Sequence, residues 1–131
     1  MPTLVIHIRE NRTAFSPRET VAGEVSWQAD SPPHSAELRL LWSTSGRGLT
    51  DIGTVETIPF PNPQAIETRP FAFTLPEGPY SFSGTLITLA WALELVIQPG
   101  NHSQSIDITV APEGKVVTLP RIKSAQRDLR E

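Results

Sequence analysis

The chain has 131 residues, of which 38 % are apolar, 19 % are charged, none is cysteine and 13 are proline. A chain of this length supports one hydrophobic core, so we expect one domain, and without cysteine it has no disulfide, zinc ribbon or thiol nucleophile. The net charge of −3 lacks the basic excess that nucleic acid or an anionic membrane surface would require, so we expect neither as a partner.

The N-terminal segment does not have the pattern of a signal peptide. His7 and Arg9 interrupt its short apolar run. The most apolar segment, residues 86–97, is too short to span a bilayer and contains Glu94. We therefore expect no membrane insertion and a cytoplasmic location.

Apolar and polar residues alternate along most of the chain, which is the period of strands with one buried face. In chain order the pattern predicts about eight strands, at residues 3–9, 20–28, 36–43, 52–58, 71–75, 83–98, 105–110 and 115–119. The longest of these, 83–98, is expected to be central. The main inward-facing residues expected are Leu4, Ile6, Ile8, Val21, Gly23, Val25, Trp27, Ala36, Leu38, Leu40, Trp42, Phe71, Phe73, Leu75, Ile87, Leu89, Trp91, Leu93, Leu95, Ile97, Ile106, Ile108 and Val110.

Breaks that contain proline or glycine separate the predicted strands. Because proline cannot donate to a strand ladder, these breaks are connections, and the pattern is typical of an all-β protein with an antiparallel, immunoglobulin-like β-sandwich. We place this domain at residues 1–119. In the tail, 120–131, apolar residues at helical spacing lie among basic residues. A short docked helix and a frayed tail both fit this segment.

Two segments carry a family resemblance. Residues 15–25 read Phe-Ser-Pro-Arg-Glu-Thr-Val-Ala-Gly-Glu-Val, and this resembles the aromatic-x-Pro-Gly-Glu-x-Val-x-Gly-x-Val start of the arrestin fold. Residues 71–76, 79–84 and 86–94 are similar to the family's later Phe-x-Phe-x-Leu-Pro strand, Pro-x-Ser-Phe-x-Gly turn and long apolar strand. The resemblance implies an arrestin-like sandwich similar to arrestin N-terminal domains and to bacterial sporulation-control proteins.

The chain departs from that pattern in two respects. Arg18 stands where the family usually has glycine, so we expect the turn there to differ. Arrestins pair two such sandwiches, whereas this chain supplies one, and it resembles a small single-domain relative. In the motif, Gly23 is expected to admit the close approach of another backbone or of a bulky ring.

The sequence offers no set of residues for catalysis. His7, His34 and His102 lie far apart and none has metal-ligand spacing, so we expect no metal. There is no nucleophile elbow and no phosphate-binding glycine loop, so we expect no catalytic residue and no cofactor. A hydrolase built on loops would need His34, His102, Asp51 and a nearby serine to converge.

Two segments are candidates for partner contact. Gly46, Arg47 and Gly48 present a guanidinium in a flexible loop, with Asp51 close by, although glycine and aspartate are also ordinary turn residues. Phe60 lies between prolines in an extended segment that either docks into a partner or closes the sandwich.

These observations favour a non-enzymatic interaction or adaptor module that binds a protein partner through an edge strand or loops. An uncovered edge would also allow homo-oligomers. The alternative is a secreted carbohydrate-binding sandwich with exposed tryptophans, but the three tryptophans all have the phase of core residues. A loop-built hydrolase is the third hypothesis.

Overall fold

The computed structural model describes residues 2–46, 49–83, 88–112 and 117–118. Within these residues the backbone is built almost wholly from extended segments, as the alternating sequence predicts. The strands are β1 (Thr3–Ile8), β2 (Ala14–Phe15), β3 (Thr20–Gln28), β4 (Ser35–Gly46), β5 (Leu49–Pro59), β6 (Ile66–Thr74), β7 (Phe82–Ser83), β8 (Thr88–Gln98), β9 (His102–Val110) and β10 (Val117–Thr118), with a 3-10 turn at Arg9–Asn11.

The strands form two sheets. The first has the order β1-β3-β6 and is antiparallel throughout. The second has the order β10-β7-β8-β4-β5, and β9 also pairs with β8, while β2 pairs with the end of β9. The β4–β8 ladder runs unbroken from Ser35 opposite Gln98 to Ser45 opposite Thr88. The strand predicted to be central, β8, is therefore central.

The core takes its side chains from the inward faces of both sheets. Its largest members, Trp27 and Trp91, are 2 % and 0 % exposed. Burial of side chains of this size stabilises the fold by roughly 2–3 kcal/mol each. Each indole N–H donates to a carbonyl in a proline-containing loop, Trp27 Nε1 to Gln64 O at 2.7 Å and Trp91 Nε1 to Pro79 O at 2.8 Å. The two indoles thereby attach these loops to the core.

The predicted β-sandwich is confirmed, and so are most of its inward faces. Three predicted core residues, Leu4, Trp42 and Ile106, are only partly buried and pack against the core rather than inside it. Ile87 lies outside the described residues. β5, β6 and β9 each begin earlier than predicted, at Leu49, Ile66 and His102.

β2 was not predicted, because two residues carry no period. The predicted central strand 83–98 is too long at its start: Ser83 belongs to the short strand β7, which pairs with β8, and β8 is described from Thr88. The last predicted strand is described only at Val117–Thr118. The tail at 120–131 lies outside the described residues, so the domain boundary at residue 119 stays a prediction. In the described part of the chain, no helix has the length and apolarity needed to cross a bilayer.

The turn that enters β3 keeps a glycine-like conformation without a glycine. The Glu19 N–H donates to Ser16 O at 3.2 Å, and Arg18 has φ = 70°. With Pro17 second and a positive φ third, this is the arrangement of a type II turn. Arg18 thus adopts a left-handed backbone angle that glycine takes readily, and whether the turn differs from that of the family stays a prediction.

The side chain of Arg12 spans the same turn. It donates to both carboxylate oxygens of Glu19, at 3.1 and 2.9 Å, and its guanidinium lies 4.4 Å from the centre of the Phe15 ring. Glu19 also accepts the Ser16 N–H at 2.7 Å. This small network fixes the path of the chain between β2 and β3.

At Gly23 the backbone of β1 closely approaches β3. A Cβ at this position would overlap the carbonyl oxygen of His7 and lie 2.9 Å from the Ile8 Cα. The expectation that Gly23 admits another backbone is confirmed. Because the neighbouring atoms belong to a backbone, they cannot move aside as a side chain would.

Candidate functional site

The predicted contact loop lies at the tip of the β4–β5 hairpin. Gly46 ends β4 opposite Leu49, the first residue of β5. Arg47 and Gly48, which join them, lie outside the described residues. Asp51 is an exposed residue inside β5, and its N–H donates to Thr44 Oγ1 at 3.3 Å. The predicted contact residues Gly46 and Asp51 therefore belong to one hairpin.

Phe60 lies in the core, away from this hairpin tip. Its side chain is 5 % exposed, and its ring centre is 5.9 Å from that of Trp27 at a tilt of 44°. Its N–H donates to Ala36 O at 2.9 Å. The ring is therefore not available to a partner, which corrects its selection as a contact residue: the proline-rich segment closes the sandwich.

Among the described residues, β5 is an edge strand. It pairs with β4, and among the described residues no other strand pairs with it. The Asp51 N–H points towards β4. Successive residues of an antiparallel strand direct their backbone groups to opposite sides, so the N–H and C=O groups of Thr50, Ile52 and Thr54 point away from the sheet. We call residues 50–54 the distal edge.

The distal edge carries an exposed apolar side chain. Ile52 is 66 % exposed, because its outer-face neighbours on β4 and β8 are the small residues Ser43 and Ala90. On the opposite face the Trp42 ring covers Gly53, where a Cβ would lie 2.7 Å from Trp42 Nε1. Sequence reasoning missed Ile52. The signal that could have found it is the run of β-branched residues at alternate positions, Thr50, Ile52 and Thr54.

A β-bulge separates the distal edge from the rest of β5. Leu40 lies opposite Glu56 and Leu41 lies opposite Thr54, so Val55 is an extra residue without a partner on β4. Bulges bend and twist a strand and disturb further pairing. Because of the bulge, only the residues before Val55 on this edge have a regular geometry for pairing with another strand.

The outer edge of the first sheet is protected against pairing. β6 contains Pro70, which has no N–H to donate. Its Glu67 and Arg69 share the inward side with the buried Phe71 and form an ion pair with an Arg69 Nε to Glu67 Oε2 distance of 2.7 Å. Arg69 also donates to Pro61 O at 2.9 Å. Proline and inward-pointing charges are devices that prevent edge-to-edge association.

The edges of β1 and β9 face each other. A groove of about 300 Å³ separates them, and Leu4 and Ile106 extend from its two walls to pack against the core. Each edge is thus flanked by the other. Of these edges, the distal edge is the one that carries neither a proline nor an inward-pointing ion pair and faces no second strand among the described residues.

The charged residues on the outer face of the second sheet lie away from the distal edge. Arg39 pairs with Glu37 at 2.5 Å and with Glu94 at 3.5 Å. Hydrogen bonding to Glu37 raises the pKa of Arg39 above its ordinary value. Around the distal edge the same face carries small or apolar residues such as Leu41 and Ala92. A strand added at the distal edge would therefore meet little charge on this face.

The residues of the hydrolase hypothesis do not come together. His34 precedes β4, and His102 lies at the same end of the sheet, opposite Ile97. Asp51 lies opposite Thr44, about 30 Å further along β4 at the rise of a strand. Within the described residues, no three His, Cys, Asp or Glu side chains gather as metal ligands.

The carbohydrate hypothesis depends on exposed tryptophans. Trp27 and Trp91 lie in the core, and Trp42 is partly buried over Gly53. The three rings therefore form no open stacking platform.

Comparison with solved structures identifies the type of sandwich. The chain is similar to the crystal structure of Spo0M, a sporulation control protein from Bacillus subtilis, with a TM-score of 0.56 and 21 % sequence identity. The match covers 84 % of this chain and 48 % of the Spo0M chain, so this chain spans about half the length of that structure. The predicted arrestin-like β-sandwich is thereby confirmed as the fold.

Sequence comparison adds no further relationship. No protein-family model matches the chain, and no curated protein sequence matches it. The fold by itself does not define a function, which depends on the surface that this chain presents.

Proposed function

We propose that this chain is a non-enzymatic interaction module that binds an extended segment of a protein partner at the distal edge. The observation that carries the proposal is the contrast between edges. The edges of β6, β1 and β9 are protected or flanked, whereas residues 50–54 direct outward backbone groups that no other described strand pairs with, and they expose Ile52. A strand that extends the second sheet would use those groups, as in β-strand addition.

The affinity in this mode comes from two sources. Backbone hydrogen bonds to Thr50, Ile52 and Thr54 contribute roughly 0.5–1.5 kcal/mol each. Contact with Ile52 removes apolar surface from water and selects partners with an apolar residue at the matching position. Gly46, at the end of β4 opposite Leu49, lies beside this edge. The proposal therefore retains part of the predicted contact loop and omits Phe60.

The module is proposed to act in the cytoplasm and without covalent chemistry. The absence of cysteine suits a reducing compartment. The likeness to a sporulation control protein is in keeping with a regulatory role. Cell fractionation that recovers the native protein outside the cytoplasm would contradict the proposed location.

The test is a peptide selection followed by matched variants. Extended peptides are selected from a display library on the wild-type chain, and their affinities are measured by calorimetry for wild type, Ile52→Lys and Ile66→Lys. Ile66 is the matched control because it is 70 % exposed at the start of β6. Lysine on an edge opposes strand addition, so we expect Ile52→Lys to weaken binding by about tenfold or more and Ile66→Lys to preserve it.

Hydrogen exchange locates the bound segment. In the complex, the amides of Thr50, Ile52 and Thr54 should exchange more slowly, because a bonded N–H is protected. Selected peptides whose affinity is the same for wild type and Ile52→Lys, with unchanged exchange at these three amides, would refute the proposed site.

A further inference from the structure

We propose that a second copy of this chain occupies the distal edge, paired antiparallel about a two-fold axis at Ile52. The inference rests on the proposed function, because it names an occupant of the same edge. A two-fold interface uses one surface twice, so that surface has to be complementary to itself.

The distal edge has this self-complementarity in its sequence. Reading Thr50-Asp51-Ile52-Gly53-Thr54 against its own reverse places Ile52 opposite Ile52, Thr50 opposite Thr54 and Asp51 opposite Gly53. The outward backbone groups belong to Thr50, Ile52 and Thr54, which this register sets opposite one another as hydrogen-bonded pairs. Two copies would therefore exchange about six backbone hydrogen bonds.

The side chains of the same register are compatible. On the outer face the two Ile52 side chains meet, flanked on either side by a pair of threonines, and β-branched and threonine pairs favour strand pairing. On the other face Asp51 meets Gly53, so no like charges lie directly opposite. The two Asp51 residues are diagonal neighbours, at positions roughly 7–8 Å apart. Their repulsion weakens the dimer, and salt screens it.

The size of the contact determines its strength. Five residues from each copy bury much less surface than a stable dimer interface, and the bulge at Val55 prevents the ladder from continuing. The dimer is therefore weak and concentration-dependent. Such a contact keeps the edge covered when no partner is present, and a partner strand replaces the second copy.

Disulfide trapping tests the register directly. The chain has no cysteine, so a single introduced thiol is the only one available. Residues opposite each other in a hydrogen-bonded pair have Cα atoms about 5.5 Å apart, within the range for a disulfide. Under mild oxidation we expect Ile52→Cys to give mainly cross-linked dimer, and Ile66→Cys, the matched exposed isoleucine on β6, to remain mainly monomer.

Sedimentation equilibrium of the unmodified chain provides the second measurement. We expect a monomer–dimer equilibrium that Ile52→Lys abolishes, Ile66→Lys leaves unchanged and Asp51→Asn strengthens. Equal cross-linking of the two cysteine variants, or a wild-type chain that stays monomeric at every concentration, would overturn the inference. If peptides still bind at the distal edge of that monomer, the proposed function stands alone; if they do not, both fail.

Discussion

At the scale of single residues, Arg18 is held in a conformation that costs free energy. Its φ of 70° lies in the left-handed region, where a residue with a Cβ is disfavoured by roughly 1–2 kcal/mol. The turn retains it because Pro17 fixes the preceding angle and the Glu19 N–H closes the loop onto Ser16. This backbone strain lowers the free energy of unfolding, and a substitution at Arg18 can remove it.

We expect Arg18→Gly to increase the free energy of unfolding by about 0.5–1 kcal/mol, the relief of strain less the added flexibility of the unfolded chain. Urea denaturation measures this change. Arg18→Ala is the control, because it removes the exposed side chain but keeps the Cβ. An equal gain in both variants would show that the side chain, and not the backbone angle, was responsible.

Glu19 links stability to pH. The hydrogen bonds from Arg12 and from the Ser16 N–H hold the pKa of Glu19 below its ordinary value of 4.5. A carboxylate whose pKa is lowered by folding stabilises the fold fully above its unfolded pKa, and this stabilisation is lost as the pH falls through the folded pKa. Glu67 has a lowered pKa for the same kind of reason, through Arg69 and the Gln64 N–H.

We expect Glu19→Gln to be less stable than wild type at pH 7 and the difference to shrink as the pH falls below 4.5. Urea titrations at a series of pH values measure the two curves. Glu67→Gln should behave in the same way. A difference between wild type and Glu19→Gln that stays constant down to pH 3 would contradict the assignment of the lowered pKa.

At the scale of elements, the pairing of β1 with β3 depends on a residue without a side chain. Ile8 lies opposite Gly23 in this ladder, and Gly23 lies opposite Phe71 in the next one. The backbone of β1 occupies the space that a Cβ would take. Any side chain there would have to separate two strands whose inward residues, such as Ile6 and Val25, are buried.

We therefore expect Gly23→Ala to destabilise the fold by about 3 kcal/mol or more, since the overlap is with backbone. Gly78→Ala is the matched control, because a Cβ there has no atom within 4 Å. Thermal unfolding of both variants measures the difference. A similarly small effect of the two substitutions would mean that β1 moves aside easily.

The sequence predicts an element well where one face of a strand is buried over several residues. The strand at Thr20–Gln28 has the bounds that its alternation predicts, because each inward residue contributes to the pattern. β2 escapes this reasoning, since its two residues pair with Thr109 and Val110 at the far end of the chain. Nothing local in the sequence records that pairing.

At the scale of the whole molecule, contacts between distant segments decide what the sequence leaves open. The prolines around Phe60 indicate a connection, but its burial depends on Trp27. Ser81 reads as a turn residue, yet it is buried, and its N–H and Oγ bond to the O and N–H of Val110. Whether an edge is free or protected is likewise a property of the assembled sheets. The candidate site could therefore be only half predicted, through Gly46 and Asp51.

The position of Trp42 has a practical consequence. Trp27 and Trp91 are fixed in the core by their indole hydrogen bonds, whereas the Trp42 ring lies over Gly53 beside the distal edge. The fluorescence emission of an indole depends on the polarity around the ring. A strand that docks at the distal edge should therefore shift the emission of Trp42, while the emission of Trp27 and Trp91 stays constant. The molecule carries its own optical reporter, and occupation of the distal edge can be followed by fluorescence without an attached dye.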